Sequence, residues 1–119
     1  MIRLALLAAI LAIPRNHEWL ERPASEADLL RGFALGRCLA KAYEKTSFAV
    51  DAEAAADAYL QMGAFSKPEG LPEQVSKLAE ASGAEANKRP PPTNKNLAVF
   101  NCIEFYESPK LKALVKKAR

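Results

Sequence analysis

The chain is poor in the residues that most often carry chemistry. Its 119 residues include one histidine, His17, and two cysteines, Cys38 and Cys102. Three such groups cannot close a four-coordinate zinc site without carboxylates. No metal-ligand spacing and no phosphate-cradling glycine pattern occurs. The chain also has little excess charge: 17 basic against 14 acidic groups leave +3, too small a surplus to demand nucleic acid as the partner. Its longest uncharged apolar stretch runs from Leu4 to Ile13, short of the roughly 20 residues that span a bilayer. No alternating strand of convincing length and no internal repeat appears. With 50% hydrophobic and 26% charged residues, the composition is that of an ordinary globular protein, and the length is that of one domain.

Nucleophilic catalysis needs a thiol or hydroxyl beside a base. His17 lies in an irregular stretch near Trp19 and reads as a surface histidine rather than as the partner of a cysteine. Asp51 and Glu53, and Glu80 and Glu85, are explained by first-turn placement and solvated helix faces better than by a paired-carboxylate hydrolase. No catalytic residue, metal ligand or cofactor is therefore assigned. The start of the chain is more telling. Arg3 followed by the run from Leu4 has the form of a secretory signal, which makes residues 1–12 a leader and 13–119 a single domain. An N-terminal core helix is the competing reading. Export bears on the cysteines: an even count in an exported chain points to one disulfide, Cys38 to Cys102. Two separately buried thiols are the alternative.

The rest of the chain reads as helix. Ser25 followed by Asp28 resembles a capping box, and Leu29, Leu30, Phe33, Ala34, Cys38 and Leu39 recur at helical steps to about Tyr43. A second helix runs from about Val50 to Met62, with Asp51 and Glu53 in its first turn and Ala52, Ala55, Ala56, Tyr59 and Leu60 facing inward; Gly63 ends it. Pro72 starts a third, over by Gly83. A fourth, from about Leu97 to Tyr106, turns Val99, Cys102, Ile103 and Tyr106 to one face. Ser108-Pro109 caps a fifth that points Leu111, Leu114 and Val115 inward. The expected fold is all-α: a compact bundle of about five short helices.

Two features point to binding. The segment from Ala84 to Asn96 is long, polar and proline-rich. Segments of that kind are often functional, and its prolines lower the ordering cost of docking. Lys88, Arg89, Thr93, Asn94 and Lys95 are its candidate contacts. Gly32 and Gly36, four apart in the first helix, cost helix propensity and so mark a close approach. With Ala55 and Tyr59 they form a candidate dimer seam, internal packing being the other explanation. The lysine-rich C-terminal helix carries no interleaved aromatics and reads as a solvated face, not a nucleic-acid platform.

Three stretches together resemble a known family: Leu30 to Leu39 with its single cysteine, Asp51 to Leu60, and Asn96-Leu97 through Cys102-Ile103, Phe105-Tyr106, Ser108, Leu111 and Leu114 to Lys117. Their order and spacing are similar to those of the immunity proteins that protect bacteria from type VI secretion amidase effectors, specifically the fourth group. The resemblance implies a periplasmic, all-helical homodimer without stable membrane insertion. It implies that the partner is a cognate peptidoglycan amidase whose active site is blocked, and that Cys38 and Cys102 correspond to the family's paired cysteines. A small helical envelope protein with a structural or adaptor role is the alternative, and a basic nucleic-acid-binding domain a more distant one.

Overall fold

The computed structural model describes residues 24–88 and 97–118; the leader expected at 1–12 and His17 lie outside them. Ser25 opens α1 (Glu26–Ala42), its Oγ accepting the Asp28 amide at 3.0 Å. Glu26 and Asp28 sit in the first turn, where carboxylates favour the helix dipole. Buried residues lie on several faces of α1, from Leu30 and Ala34 round to Gly36 and Ala40. It is accordingly the central rod, packed against all four other helices.

The second helix, α2 (Ser47–Met62), starts earlier than its apolar pattern predicts. Thr46 caps it, accepting the Ala49 amide at 3.3 Å, so the helix is under way before Val50. Asp51 and Glu53 therefore fall beyond the first turn. The face α2 buries is narrow: Ala52 and Ala56 are buried, Leu60 is half-buried, and Ala55 and Tyr59 are exposed. At its far end the Glu26 carboxylate accepts the amides of Ala64 and Phe65, both at 3.2 Å. That ties the connection after α2 to the start of α1.

The third helix, α3 (Leu71–Lys88), buries Leu71, Val75, Ala79 and Ala86. It does not stop at Gly83. A Cβ there would lie 2.5 Å from the Cys38 carbonyl oxygen and 2.7 Å from Lys41 Cβ. The glycine marks where α3 crosses α1, not where α3 ends, and the irregular segment expected from Ala84 is helical as far as Lys88.

The fourth and fifth helices, α4 (Ala98–Tyr106) and α5 (Pro109–Val115), complete the domain. Ser108 caps α5 as expected, accepting the Leu111 amide at 3.2 Å, with Leu111 and Val115 buried beneath. The face of α4 differs from the sequence reading. Ala98, Cys102 and Phe105 are buried, whereas Val99 is 43% and Ile103 50% exposed. Both stripes pass through Cys102 at helical spacing, so periodicity alone did not choose between them.

Cys38 and Cys102 form a disulfide between α1 and α4, with Cα atoms 5.8 Å apart. Among the described residues every regular element is a helix. The described residues form the expected all-α bundle, five helices with one covalent staple.

Candidate functional site

The segment singled out for binding leaves α3 at Lys88 and re-enters described structure at Leu97. Of the five candidate contacts, Lys88 is exposed at the end of α3, while Arg89, Thr93, Asn94 and Lys95 lie outside the described residues. On the far side of that segment, α4 presents Leu97, Val99, Phe100 and Ile103, all 40% exposed or more. Sequence reasoning missed this apolar edge because it assigned Val99 and Ile103 to the interior. The stripe of Ala98, Cys102 and Phe105 was the available signal: Ala98 suits close packing, and the larger Val99 does not need it.

Two anchors fix α4. One is the disulfide. The other is Arg31 of α1, whose guanidinium lies 4.1 Å from the centre of the Tyr106 ring. Its Nη2 donates to the Tyr106 carbonyl oxygen at 3.1 Å and to Glu107 Oε1 at 3.4 Å. Lys112 of α5 reaches the other Glu107 oxygen at 3.1 Å. Stacking, a carbonyl bond and a shared carboxylate thus join the ends of α4, α1 and α5.

A second polar junction joins α1, α2 and α3. Arg37 of α1 donates to Glu53 of α2 at 2.6 Å, to Glu80 of α3 at 2.5 Å and to Ser76 of α3 at 3.2 Å. Burial works against its charge, but the Glu53 and Glu80 carboxylates outweigh burial and hold the guanidinium above its ordinary value. Both carboxylates are about two-fifths exposed, so water compensates much of their loss. Arg37→Met is expected to destabilise by about 1 kcal/mol, read as a lower urea midpoint with unchanged helicity. A loss three times larger would mean that the pair is far less solvated than its exposure indicates.

The expected dimer seam divides. A Cβ on Gly32 would lie 2.7 Å from the Tyr59 ring, and one on Gly36 2.9 Å from Ala56 Cβ. The close approach that these glycines signal takes place within the chain, between α1 and α2. Ala55 and Tyr59 remain at the surface of α2.

Chemically, the arrangement offers surfaces. Both thiols are in the bridge, and among the described residues no group of three or more His, Cys, Asp and Glu side chains could hold a metal ion. None of the described helices is long and apolar enough to cross a membrane. A disulfide-stapled helical scaffold that exposes apolar and polar edges beside one long connection is a binding domain. The chain belongs to the type VI secretion system amidase immunity proteins, whose family profile, Tai4, matches residues 28–115. A solved structure of the effector–immunity system Tae4/Tai4 from Salmonella typhimurium, in its selenomethionine variant, contains a similar chain. The two are 26% identical, with a TM-score of 0.65, covering 79% of this chain and 89% of that one. No curated protein sequence matches this chain.

Proposed function

We propose that this immunity protein works by occlusion: it binds a cognate peptidoglycan amidase in the periplasm and keeps substrate out of the enzyme's active site. The observation that carries the reading is the family match over residues 28–115. The element proposed to enter the cleft is the segment between α3 and α4, with Lys88, Arg89, Thr93, Asn94 and Lys95 as contacts. Its polar side chains would meet the donors and acceptors of the amidase site, which are costly to bury unpaired. The apolar edge of Leu97, Phe100 and Ile103 lies where it would pack against the rim. The fold supports this use because the disulfide and Arg31 hold α4 and so fix the end of the segment at Leu97. Inhibition of this kind asks for no turnover by the chain itself.

Periplasmic action is supported by the leader-like run beginning at Leu4 and by the disulfide, which persists in an oxidising compartment. Residues 1–12 are proposed to be removed on export. Self-association into a homodimer belongs to the same reading, with the outer surface of α2 as its seam.

The test is protection. The cognate amidase is produced in a bacterial periplasm with and without this chain, and lysis is followed. Suppression that requires residues 1–12 supports both export and immunity; lysis despite an exported, folded chain would count against immunity to that amidase. Alanine at Lys88, Arg89, Thr93, Asn94 and Lys95 together is expected to weaken amidase binding at least about 100-fold, since a few central contacts dominate such interfaces. An unchanged dissociation constant would remove the segment from the mechanism.

A further inference from the structure

The fourth helix turns its larger apolar side chains outward. Val99, Phe100 and Ile103 are exposed, whereas Ala98, Cys102 and Phe105 form the buried face. Only one of those three is large. The largest fully buried side chains, Leu30, Leu71, Val75, Leu111 and Val115, belong to α1, α3 and α5; the one that α4 adds to that set is Cys102, paired with Cys38 of α1. α4 is also nine residues long, short of what holds together as an isolated helix, and Leu97 at its start offers no capping side chain. Apolar burial thus does little to keep this face of α4 turned inward, and the bond to Cys38 does much. The other helices do not depend on α4 in the same way: their own leucines and valines pack together, and Arg37 ties α1 to α2 and α3.

The bridge itself is sealed. Cys38 and Cys102 are both 0% exposed, and thiol–disulfide exchange requires an attacking thiolate to reach a sulfur. With α4 in place no outside thiol or disulfide can do so. The bond must therefore form while α4 stands off the bundle. One cysteine thiolate attacks the disulfide of a thiol-oxidising protein of the periplasm, giving a mixed disulfide and releasing one thiol of the oxidant. The thiolate of the other cysteine then attacks the mixed disulfide, closing the Cys38–Cys102 bond and releasing the oxidant's second thiol. Two electrons pass to the oxidant, and the two protons of the cysteine thiols end on its two thiols. Arg31 holds the chain at Tyr106 and Glu107, so α4 pivots at that end as it closes.

We infer that the Cys38–Cys102 bond is a redox latch that switches the amidase-binding surface on after export. In the reduced chain α1, α2, α3 and α5 stay packed while α4 leaves its place, and Leu97, Phe100 and Ile103 lose the positions in which they meet the amidase. Oxidation locks α4 down and completes the surface. The inference rests on the occlusion reading and adds to it when the chain becomes an inhibitor. A reducing cytoplasm keeps the chain in the form that does not bind, so amidase made in the same cell is left free. If α4 is docked in about 1% of reduced molecules, the apparent dissociation constant rises about 100-fold.

Residue-resolved amide hydrogen exchange and amidase affinity test it together. Three forms of the chain lacking residues 1–12 are compared: oxidised wild type, wild type kept reduced, and Cys38→Ala with Cys102→Ala. Affinity is measured on the oxidised wild type and the double variant, so that no reductant touches the amidase. In both unbridged forms the α4 amides should exchange close to the rate of an unfolded chain, while those of α1 and α3 stay protected. The double variant should bind the amidase about 100-fold more weakly than the oxidised chain, and reoxidising the reduced wild type should restore α4 protection. Protected α4 amides in the unbridged forms, or an unchanged affinity, overturn the latch. So does loss of protection in α1 and α3 as well, because the bond then supports the whole fold and not α4 alone. If the oxidised chain itself fails to bind, the occlusion reading falls, and with it the switching of amidase binding, whatever α4 does.

Discussion

Replacing Cys38 and Cys102 by alanine is expected to lower stability by about 4 kcal/mol. The bridge joins residues 64 apart, and closing a loop of that length restricts the unfolded chain by about this amount in the chain-entropy model. For a domain of this size that is a large part of the total stability. It corresponds to a fall in melting temperature of about 15–25 °C. The wild-type chain under reducing conditions should melt close to the double variant. A shift of only a few degrees would show that packing of α4 through Ala98 and Phe105 nearly suffices. The functional consequence follows from position. Cys102 lies on α4, just after the segment proposed to enter the amidase. Loss of the staple should therefore weaken amidase binding as well, even at a temperature where the variant is still folded.

Gly83→Ala is expected to destabilise by about 2 kcal/mol, and Gly83→Val by about 3 kcal/mol. Helix propensity alone predicts the opposite sign for alanine, a gain of about 1 kcal/mol, because Gly83 sits within α3. The close contact decides it. The added Cβ would meet the Cys38 carbonyl oxygen at 2.5 Å and the Ala42 amide nitrogen at 3.2 Å, and backbone atoms cannot rotate aside as a side chain can. The two helices would have to move apart where Cys38, Lys41 and Ala42 of α1 face Gly83 of α3. Urea midpoints for both variants check the sign, and a stabilised Gly83→Ala would show that α1 and α3 separate at little cost.

Much of the local structure was legible from residue chemistry. Ser25 and Ser108 cap their helices because a side-chain oxygen placed before an apolar run has an amide to accept, whatever surrounds it. Leu30, Phe33 and Ala34, and Leu111 and Val115, are buried as their spacing predicts. The misreadings share one cause. Gly83 resembled a helix end because glycine commonly follows helices, yet here it serves a crossing that no local pattern reveals. The start of α2 was placed late because Lys45, Thr46 and Ser47 break the apolar pattern, while Thr46 caps the helix regardless. On α4 two stripes, one through Val99 and one through Ala98, satisfied the same period. The face that turned inward was settled by contacts with α1 and α3.

The candidate site divides in the same way. Lys88 and the segment after it stood out by polarity and proline content alone. The apolar edge of Leu97, Val99, Phe100 and Ile103 did not, because exposure of a large side chain is a property of what fails to cover it. Nothing in the sequence marks Arg37; α2 and α3 bring Glu53 and Glu80 to it. By itself the sequence determined that the chain is helical, where α1 and α5 are capped, that two cysteines were available to pair, and to which family it belongs. Those properties reside in nearby residues or in the order of motifs. Only the tertiary structure decided which face of α4 is buried, that Gly32, Gly36 and Gly83 serve crossings within the chain, and which charges remain unpaired. Each depends on atoms brought together from positions far apart in the chain, and packing at close range selects among faces that local periodicity leaves equivalent.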